Sequence, residues 1–395
     1  MIIFSYNLIL FLTYPIIALI GIFRIFLKKE NYLSFNQKFF ANHNYKEFKN
    51  LDTIIHFASI GELNSIQFLL EKLNNEKILL TCSTLSSYNL AQKKYPNIKV
   101  IFLPIDFKWN VKKFISRINV TRILWIDSEI WPNWLIHSKN SNIKNILVNG
   151  RLSKKSYSKW IKLRSFSKSL GEKYELILAK SLEDKDKLYE VFQNKVYFFG
   201  NLKFYLSVKI SKEKYRKNNL CFASIHKSEF VLVKAIINRL NLELFDSITI
   251  IPRHIKFSNE LSSILGLDLG LKFNREFLNK IKVHDKFGES LPIFDKSKLV
   301  FMGGSLIDHG GQNPLEPLSR GSYIISGKNI DNFKDQYLDL EKLNLAKVLD
   351  NNLNEISTKI NHLITLNFDD SKKIYAYFED NSKYFNKMIE MIEKC

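Results

Sequence analysis

GGSLIDHGGQNPLEP, residues 303–317, decides how the rest of the chain is read. The chain has 14 glycines, and four of them fall between Gly303 and Gly311. The apolar run Lys298-Leu-Val-Phe-Met302 ahead of it predicts a short buried strand. Pro314-Leu-Glu-Pro317 predicts a helix start, because proline is tolerated in a first helical turn. Glycines at such a passage let backbone N–H groups approach a ligand closely, and a helix N-terminus favours an anion. Glu316 would repel a phosphate but can accept hydrogen bonds from a ribose diol, as acidic residues do in dinucleotide sites. An ordinary glycine-rich turn has the same letters, so the remaining chain has to decide.

Outward from that stretch, short apolar runs alternate with helical patterns. Thr53–Ser59, Lys77–Thr84, Val100–Ile105, Arg122–Asp127, Asn145–Val148, Glu175–Ala179 and Lys195–Phe204 are candidate strands of a first half. The polar, Lys-rich run Ser207–Asn219 reads as a linker or exposed helix. The alternation resumes at Leu220–Ala223, Ser247–Ile251, Lys298–Met302 and Ser322–Ile325. Such alternation predicts parallel sheets with helices on both faces, here in two α/β halves with a ligand cleft between them. A length of 395 residues also favours two cores over one.

Composition narrows the function classes. Hydrophobic residues make up 46% and aromatics 13%, which excludes a disordered chain. The 59 basic residues against 39 acidic ones give +20, but the excess is spread evenly, without a basic arm or an aromatic RNA platform. That charge suits anionic membranes or phosphorylated substrates rather than nucleic acid. Cys82, Cys221 and Cys395 are too scattered for a disulfide framework or a metal site.

Residues 2–27, IIFSYNLILFLTYPIIALIGIFRIFL, are long and apolar enough to cross a bilayer, which takes about 20 residues. Arg24, Lys28 and Lys29 follow, and basic flanks stay cytoplasmic, so the downstream chain is expected on that side. Pro15 leaves a kinked or interfacial helix open beside a spanning one.

Ligands of open parallel sheets sit beyond the carboxyl ends of the strands, so the strand exits carry the candidates. The first exit is Ser59-Ile-Gly-Glu62 and the fourth is Asp127-Ser-Glu129, before Trp131-Pro132. Two neighbouring carboxylates can form an acid–base pair, although a first-turn Glu62 also complements a helix dipole. Gly200-Asn-Leu-Lys203 brings a lysine to the same rim. In the second half, Arg253 follows an apolar strand, where a guanidinium can clamp a phosphate. Asp184-Lys-Asp186 looks like a metal motif but reads as a solvated helix face behind a Ser181 cap.

The order of these pieces is more specific than any one of them. Ser59-Ile-Gly-Glu62, Asp127-Ser-Glu-Ile-Trp-Pro132, Asn149-Gly-Arg-Leu-Ser153 and Gly200-Asn-Leu-Lys-Phe204 come first. Ser224-Ile-His226, Pro252-Arg-His254, Gly288-Glu289 and Gly303–Pro317 follow. This succession closely resembles the 3-deoxy-D-manno-octulosonic acid (Kdo) transferases of Gram-negative bacteria, over the basic N-terminal anchor and nearly everything from about residue 53 to residue 335. The stretch from Asn31 to Asp52 lacks the Arg/Gly pattern that often precedes the first strand. The sequence departs from that family's usual pattern at Ile225 and Lys286, commonly Thr, and at Asp127, commonly Glu.

The resemblance implies a GT-B architecture of two Rossmann-like domains with an interdomain cleft, preceded by a membrane-anchor helix. The expected division is 1–29 for the anchor, 30–206 for the acceptor domain and 207–395 for the CMP-sugar donor domain. It further implies transfer of Kdo from CMP-Kdo to the lipid A precursor, lipid IVA, at the cytoplasmic face of the inner membrane. Glu62 matches the family's general base, and Glu129 and Lys203 match positions that stabilise the transition state. Pro252, Arg253, Phe287, Gly288, Glu289, Asn313, Pro314, Leu315 and Glu316 match the segments that hold CMP. No cofactor, no metal and no nucleic-acid partner is expected. The rival readings are a related GT-B enzyme with another nucleotide sugar, or a non-catalytic basic protein attached to membranes.

Overall fold

β-Branched and aromatic runs form strands where the alternation predicts them. The computed structural model describes residues 2–48, 50–204, 208, 210, 217–266, 279–286 and 289–395. Its first sheet contains β1 (Asn50–Phe57), β2 (Ile78–Cys82), β3 (Lys99–Phe102), β4 (Asn119–Ile126), β5 (Lys144–Gly150), β6 (Tyr174–Ala179) and β7 (Val196–Phe198). The order is β3-β2-β1-β4-β5-β6-β7 and every pairing is parallel. In β1 the last five residues are all buried, because helices cover both faces of a parallel sheet.

The second sheet contains β8 (Asn219–Ile225), β9 (Ser247–Pro252), β10 (Ile281–Val283), β11 (Leu299–Met302), β12 (Tyr323–Ser326) and β13 (Ala346–Val348). Its order is β10-β9-β8-β11-β12-β13, again parallel throughout. Each sheet has its own core. Trp125, Trp134 and Phe114 fill the first, and Phe222, Phe230 and Phe301 fill the second.

The chain separates into two units. Unit 1 comprises Met1–Tyr205 together with Asn381–Cys395, and unit 2 comprises Leu206–Asp380. The expected division gave residues 207–395 to the second half, whereas the last fifteen residues return to the first. The helix Phe385–Lys394 buries Phe385, Met388, Ile389 and Ile392, and the Phe385 ring lies 5.4 Å from that of Phe68. The expected linker, 207–219, falls largely outside the described residues.

The N-terminal segment belongs to unit 1 as well. Helix α1 (Ile2–Phe26) packs on α2 (Tyr32–Phe40), and Gly21 is its one fully buried residue. A Cβ at Gly21 would come within 2.8 Å of the Phe39 ring, so the close approach requires glycine. The short loop between the helices is fixed by Glu30, whose carboxylate accepts from Lys38 Nζ at 2.8 and 2.9 Å.

Candidate functional site

A parallel sheet opens a crevice where strand order reverses, since adjacent strands there send their connections to opposite faces. In unit 1 that point lies between β1 and β4, and in unit 2 between β8 and β11. Of the sequence candidates, Glu62 follows β1, Glu129 follows β4 and Asn313–Glu316 follow β11, whereas Lys203, Arg253 and Glu289 follow β7, β9 and β10. Non-glycine residues in left-handed conformation occur after β4 at Asp127 (φ 65°), at the end of β8 at Ser224 (φ 57°) and at the end of the neighbouring β5 at Asn149 (φ 58°). Such backbone is sparsely populated and clusters at functional sites.

Glu62 sits in the first turn of the helix Ile60–Ser65, which Ser59 caps in extended conformation. Its Oε2 accepts from the Ala58 N–H at 2.6 Å, and its Oε1 accepts from the Ser59 hydroxyl at 3.1 Å. The carboxylate therefore complements the helix start as the local sequence suggested, and it also faces the β4 exit. Burial, then the nearby charge of Asp127, raises its pKa above the ordinary carboxylate value; hydrogen bonds from Ala58 and Ser59 oppose this, and Glu129 adds to it. A base poised this way ionises at higher pH and binds its proton more strongly. If Glu62 limits the rate, Asp127→Asn should move the acid limb of the pH–rate profile to lower pH. An unshifted limb in a folded variant would remove Asp127 from that role.

Glu129 is held differently. Its Oε2 accepts from Trp131 Nε1 at 2.6 Å and lies 3.3 Å from His56 Nε2. His56 is fully buried in β1, with Nδ1 3.0 Å from the Thr81 hydroxyl. Burial works to raise the Glu129 pKa, but the hydrogen bond and attraction of His56 and the Trp131 N–H together hold it below the usual value. Two carboxylates at one switch point thus have opposite tendencies, which is how one site separates a proton acceptor from a permanent negative charge. Trp131 also lines a cavity of about 240 Å³, mostly apolar, with Ile17, Ile20 and Gly21 of α1 on another wall.

Asp127 accepts from Asn149 Nδ2 and from Arg151 Nε at 3.1 Å. Asn149 Oδ1 accepts in turn from the Leu202 N–H at 3.1 Å. This ties the β4 exit to the turn Leu202–Phe204, which contains Lys203 and packs beside the Glu62 helix. The Lys203 side chain lies outside the described residues.

In unit 2, Gly303 leaves β11 against β8, where a Cβ would meet the Ser224 carbonyl oxygen at 2.4 Å. Gly310 has φ 89°, and its carbonyl accepts from the Asn332 N–H at 2.8 Å. The loop between them wraps a buried carboxylate. Glu229 Oε2 accepts from the Gly304 N–H at 2.8 Å and the His226 N–H at 2.9 Å, and Oε1 accepts from Leu306 N–H at 3.1 Å. The glycines were expected to offer backbone N–H groups to a ligand, but two of the loop's amides are committed to Glu229. The helix after the loop, Leu315–Ser319, has only five residues, so it supplies little dipole for an anion.

Positive charge near that loop comes from Arg253, which acts on the neighbouring His226. The His226 and His309 rings are 4.0 Å apart between centroids, and His226 Nε2 lies 3.0 Å from Gln312 Nε2. Burial first, then His309, Arg253 and His254, pushes the His226 pKa down to about 4. Arg253 is exposed at the end of β9, its backbone N–H donating to Ile225 O at 2.8 Å, and Pro252 before it is buried. Asn313 Oδ1 accepts from the Leu315 N–H at 3.2 Å, setting Pro314 and Leu315 at the helix start with half-buried Glu316 in its first turn. Glu289 is exposed ahead of the helix Ser290–Lys296. Phe287 and Gly288 lie outside the described residues.

Two readings of single residues change. Asp184 is buried, because its Oδ1 accepts from the Leu152 N–H at 3.0 Å; the expected solvated face is correct only for its neighbours. Glu229 was not among the sequence candidates. Its position three residues after the His226 strand exit was the available signal, since a glutamate there can reach back to the preceding backbone.

Residues 33–206 match the family described as 3-deoxy-D-manno-octulosonic-acid transferase (kdotransferase). A bifunctional glycosyltransferase/methyltransferase of Fusobacterium nucleatum is 28% identical over 91% of this chain, which spans only 60% of that protein's length. A 3-deoxy-D-manno-octulosonic acid transferase of Rickettsia bellii is 26% identical over 98% of both chains. A glycosyltransferase of Rickettsia africae superposes with a TM-score of 0.56 at 15% identity, over 89% of this chain and 99% of that one. That likeness concerns the fold, and the fold is GT-B.

Proposed function

We propose that this chain, a glycosyltransferase of the Kdo transferase family, moves Kdo from CMP-Kdo to the lipid A precursor, lipid IVA, by an inverting displacement. Unit 1 takes the acceptor and unit 2 takes the donor. An acceptor hydroxyl attacks the anomeric carbon of Kdo, the bond from that carbon to the CMP phosphate oxygen breaks, and CMP leaves with the electron pair. Glu62 accepts the hydroxyl proton. The observation that carries this reading is the half-buried Glu62 carboxylate at a sheet switch point, its pKa raised by burial and by Asp127.

The remaining groups fit roles around that step. Glu129, kept ionised by its partners, stabilises positive charge developing on the sugar ring, with Lys203 assigned to the same transition state. Arg253 offers a two-pronged contact for the departing phosphate. Pro252, the segment Phe287–Glu289 and Asn313–Glu316 are assigned to CMP, with Glu316 on the ribose hydroxyls. The mostly apolar cavity beside Trp131 is consistent with a lipid acceptor.

Incubation of the purified protein with CMP-Kdo and lipid IVA tests the reading by mass spectrometry. A product heavier by one or more Kdo units, with CMP released in proportion, is expected. CMP release with any other donor preferred over CMP-Kdo would overturn it.

Glu316 supplies a narrower test. A carboxylate bridging two ribose hydroxyls makes charge-assisted hydrogen bonds of about 1.5–3 kcal/mol each. Glu316→Ala should therefore raise the CMP dissociation constant by roughly tenfold or more in calorimetric titration. If Glu316 only complements its helix, affinity stays unchanged and stability falls by about 0.3–1 kcal/mol.

A further inference from the structure

The accessibility of α1 has a helical period along its whole length. Ile3, Tyr6, Asn7, Leu10, Tyr14, Ile17 and Gly21 are partly or fully buried, at steps of three and four. Phe4, Leu8, Leu12, Ile16, Leu19 and Phe23 are exposed on the opposite side, Leu12 and Leu19 at 65%. The inner stripe is fixed at both ends and in the middle. Tyr6 donates to Asp106 Oδ2 at 2.9 Å, and Asn133 Nδ2 donates to Asn7 Oδ1 at 2.8 Å. Tyr14 packs edge-on against Phe107 and Trp109, with ring centroids 5.0 and 5.4 Å away. At the far end Arg24 pairs with Glu30 at 3.5 Å.

A spanning helix is incompatible with these contacts. Tyr6 and Arg24 are separated by about 27 Å of helix, close to the ~30 Å of a hydrocarbon core. With Arg24 at one interface, Tyr6 and Asn7 would sit near the other. Asp106, Asn133 and the irregular backbone around them would then have to enter hydrocarbon, where unsatisfied polar backbone is excluded. The alternative is to break the contacts and bare Asp106, whose buried carboxylate also accepts from the Asn133 and Trp134 N–H groups at 3.0 and 2.9 Å.

We infer that α1 lies in the plane of a membrane, docked along its inner stripe on unit 1, and inserts its outer stripe into one leaflet without crossing it. The rim of this face has the chemistry of an interface with anionic lipid. Trp109, Tyr32 and Phe40 are exposed large aromatics on the elements packed beside α1. Lys28, Lys29, Lys108 and Lys112 are exposed there too, and each basic group near an anionic surface adds attraction. The helix is apolar on both sides because one faces protein and the other faces lipid.

The experiment uses the full chain with Cys395→Ser, leaving Cys82 and Cys221 buried. With copper phenanthroline as oxidant, Asn7→Cys with Asn133→Cys should close a disulfide both in solution and on phosphatidylethanolamine vesicles containing phosphatidylglycerol. In cells, a thiol from Asn7→Cys alone in this background should react with an impermeant maleimide from the same side of the membrane as Cys395 does in the unsubstituted chain. Reaction from opposite sides, or a disulfide that forms in solution and is lost on vesicles, would overturn the inference. Leu12→Glu with Leu19→Glu should weaken vesicle binding by roughly tenfold or more and leave the melting temperature unchanged. Unchanged vesicle binding, or a dimer abolished by the same pair in a protein that ignores vesicles, would equally overturn it.

Discussion

Glu62→Gln is expected to reduce Kdo transfer by about 100-fold or more, the usual contribution of a positioned general base. Glutamine keeps the side-chain volume and can still accept from the Ala58 N–H through its amide oxygen, the contact made by Oε2 at 2.6 Å. The helix Ile60–Ser65 should therefore persist, and CMP binding, assigned to unit 2, should stay at its normal strength. The carboxylate's tendency to hold its proton disappears with the substitution, so, if Glu62 is the base, any residual activity should lack the acid limb attributed to its raised pKa. Single-turnover rates across a pH series, with CMP titration beside them, measure both parts. Near-normal turnover in a folded variant would transfer the role of base to another group.

The second large effect concerns a carboxylate bound by the backbone of its own loop. Glu229→Ala removes the acceptor from three backbone N–H groups, those of His226, Gly304 and Leu306. Hydrogen bonds to a charged group contribute about 1.5–3 kcal/mol, and a buried donor left without one adds a desolvation cost of about 1–3 kcal/mol. A loss of about 3 kcal/mol or more from the denaturation midpoint of unit 2 is expected. Glu229→Gln should cost less, because one amide oxygen can still accept. It should still weaken CMP binding, since the amide NH₂ would face a backbone donor and push the 303–306 backbone out of place. A loss below about 1 kcal/mol for the alanine variant would mean the loop holds itself.

Central strands were legible in the sequence because burial on both faces writes them as unbroken apolar runs, as in Ile123–Ile126 and Leu299–Met302. The edge strands β10 and β13 were not, since three residues such as Ile-Lys-Val carry no period. At the candidate site, residue type and strand exit were enough to single out Glu62, Glu129 and Arg253 as candidates. They could not reveal Glu229, because a carboxylate that binds backbone amides leaves no pattern in the chain apart from its spacing. The glycine loop was located correctly and misread in part: Gly303 is required by the Ser224 carbonyl, a protein atom, rather than by a ligand. The docking of α1 was equally hidden, since composition alone gives a crossing helix and a docked one the same letters.

The C-terminal helix imposes an order on synthesis. Unit 1 takes its final residues, Asn381–Cys395, from the end of the chain, and Phe68 packs against Phe385. A ribosome adding about 5–20 residues per second needs roughly 10–40 s to go from the end of the first sheet to Cys395. Throughout that interval the nascent first half waits with an apolar surface uncovered, although its seven strands have all emerged. A message cut short ahead of the codons for Asn381–Cys395 would therefore damage the half made first. Truncated products should betray themselves to proteases through the Phe68 surface, while an intact second half gives no warning.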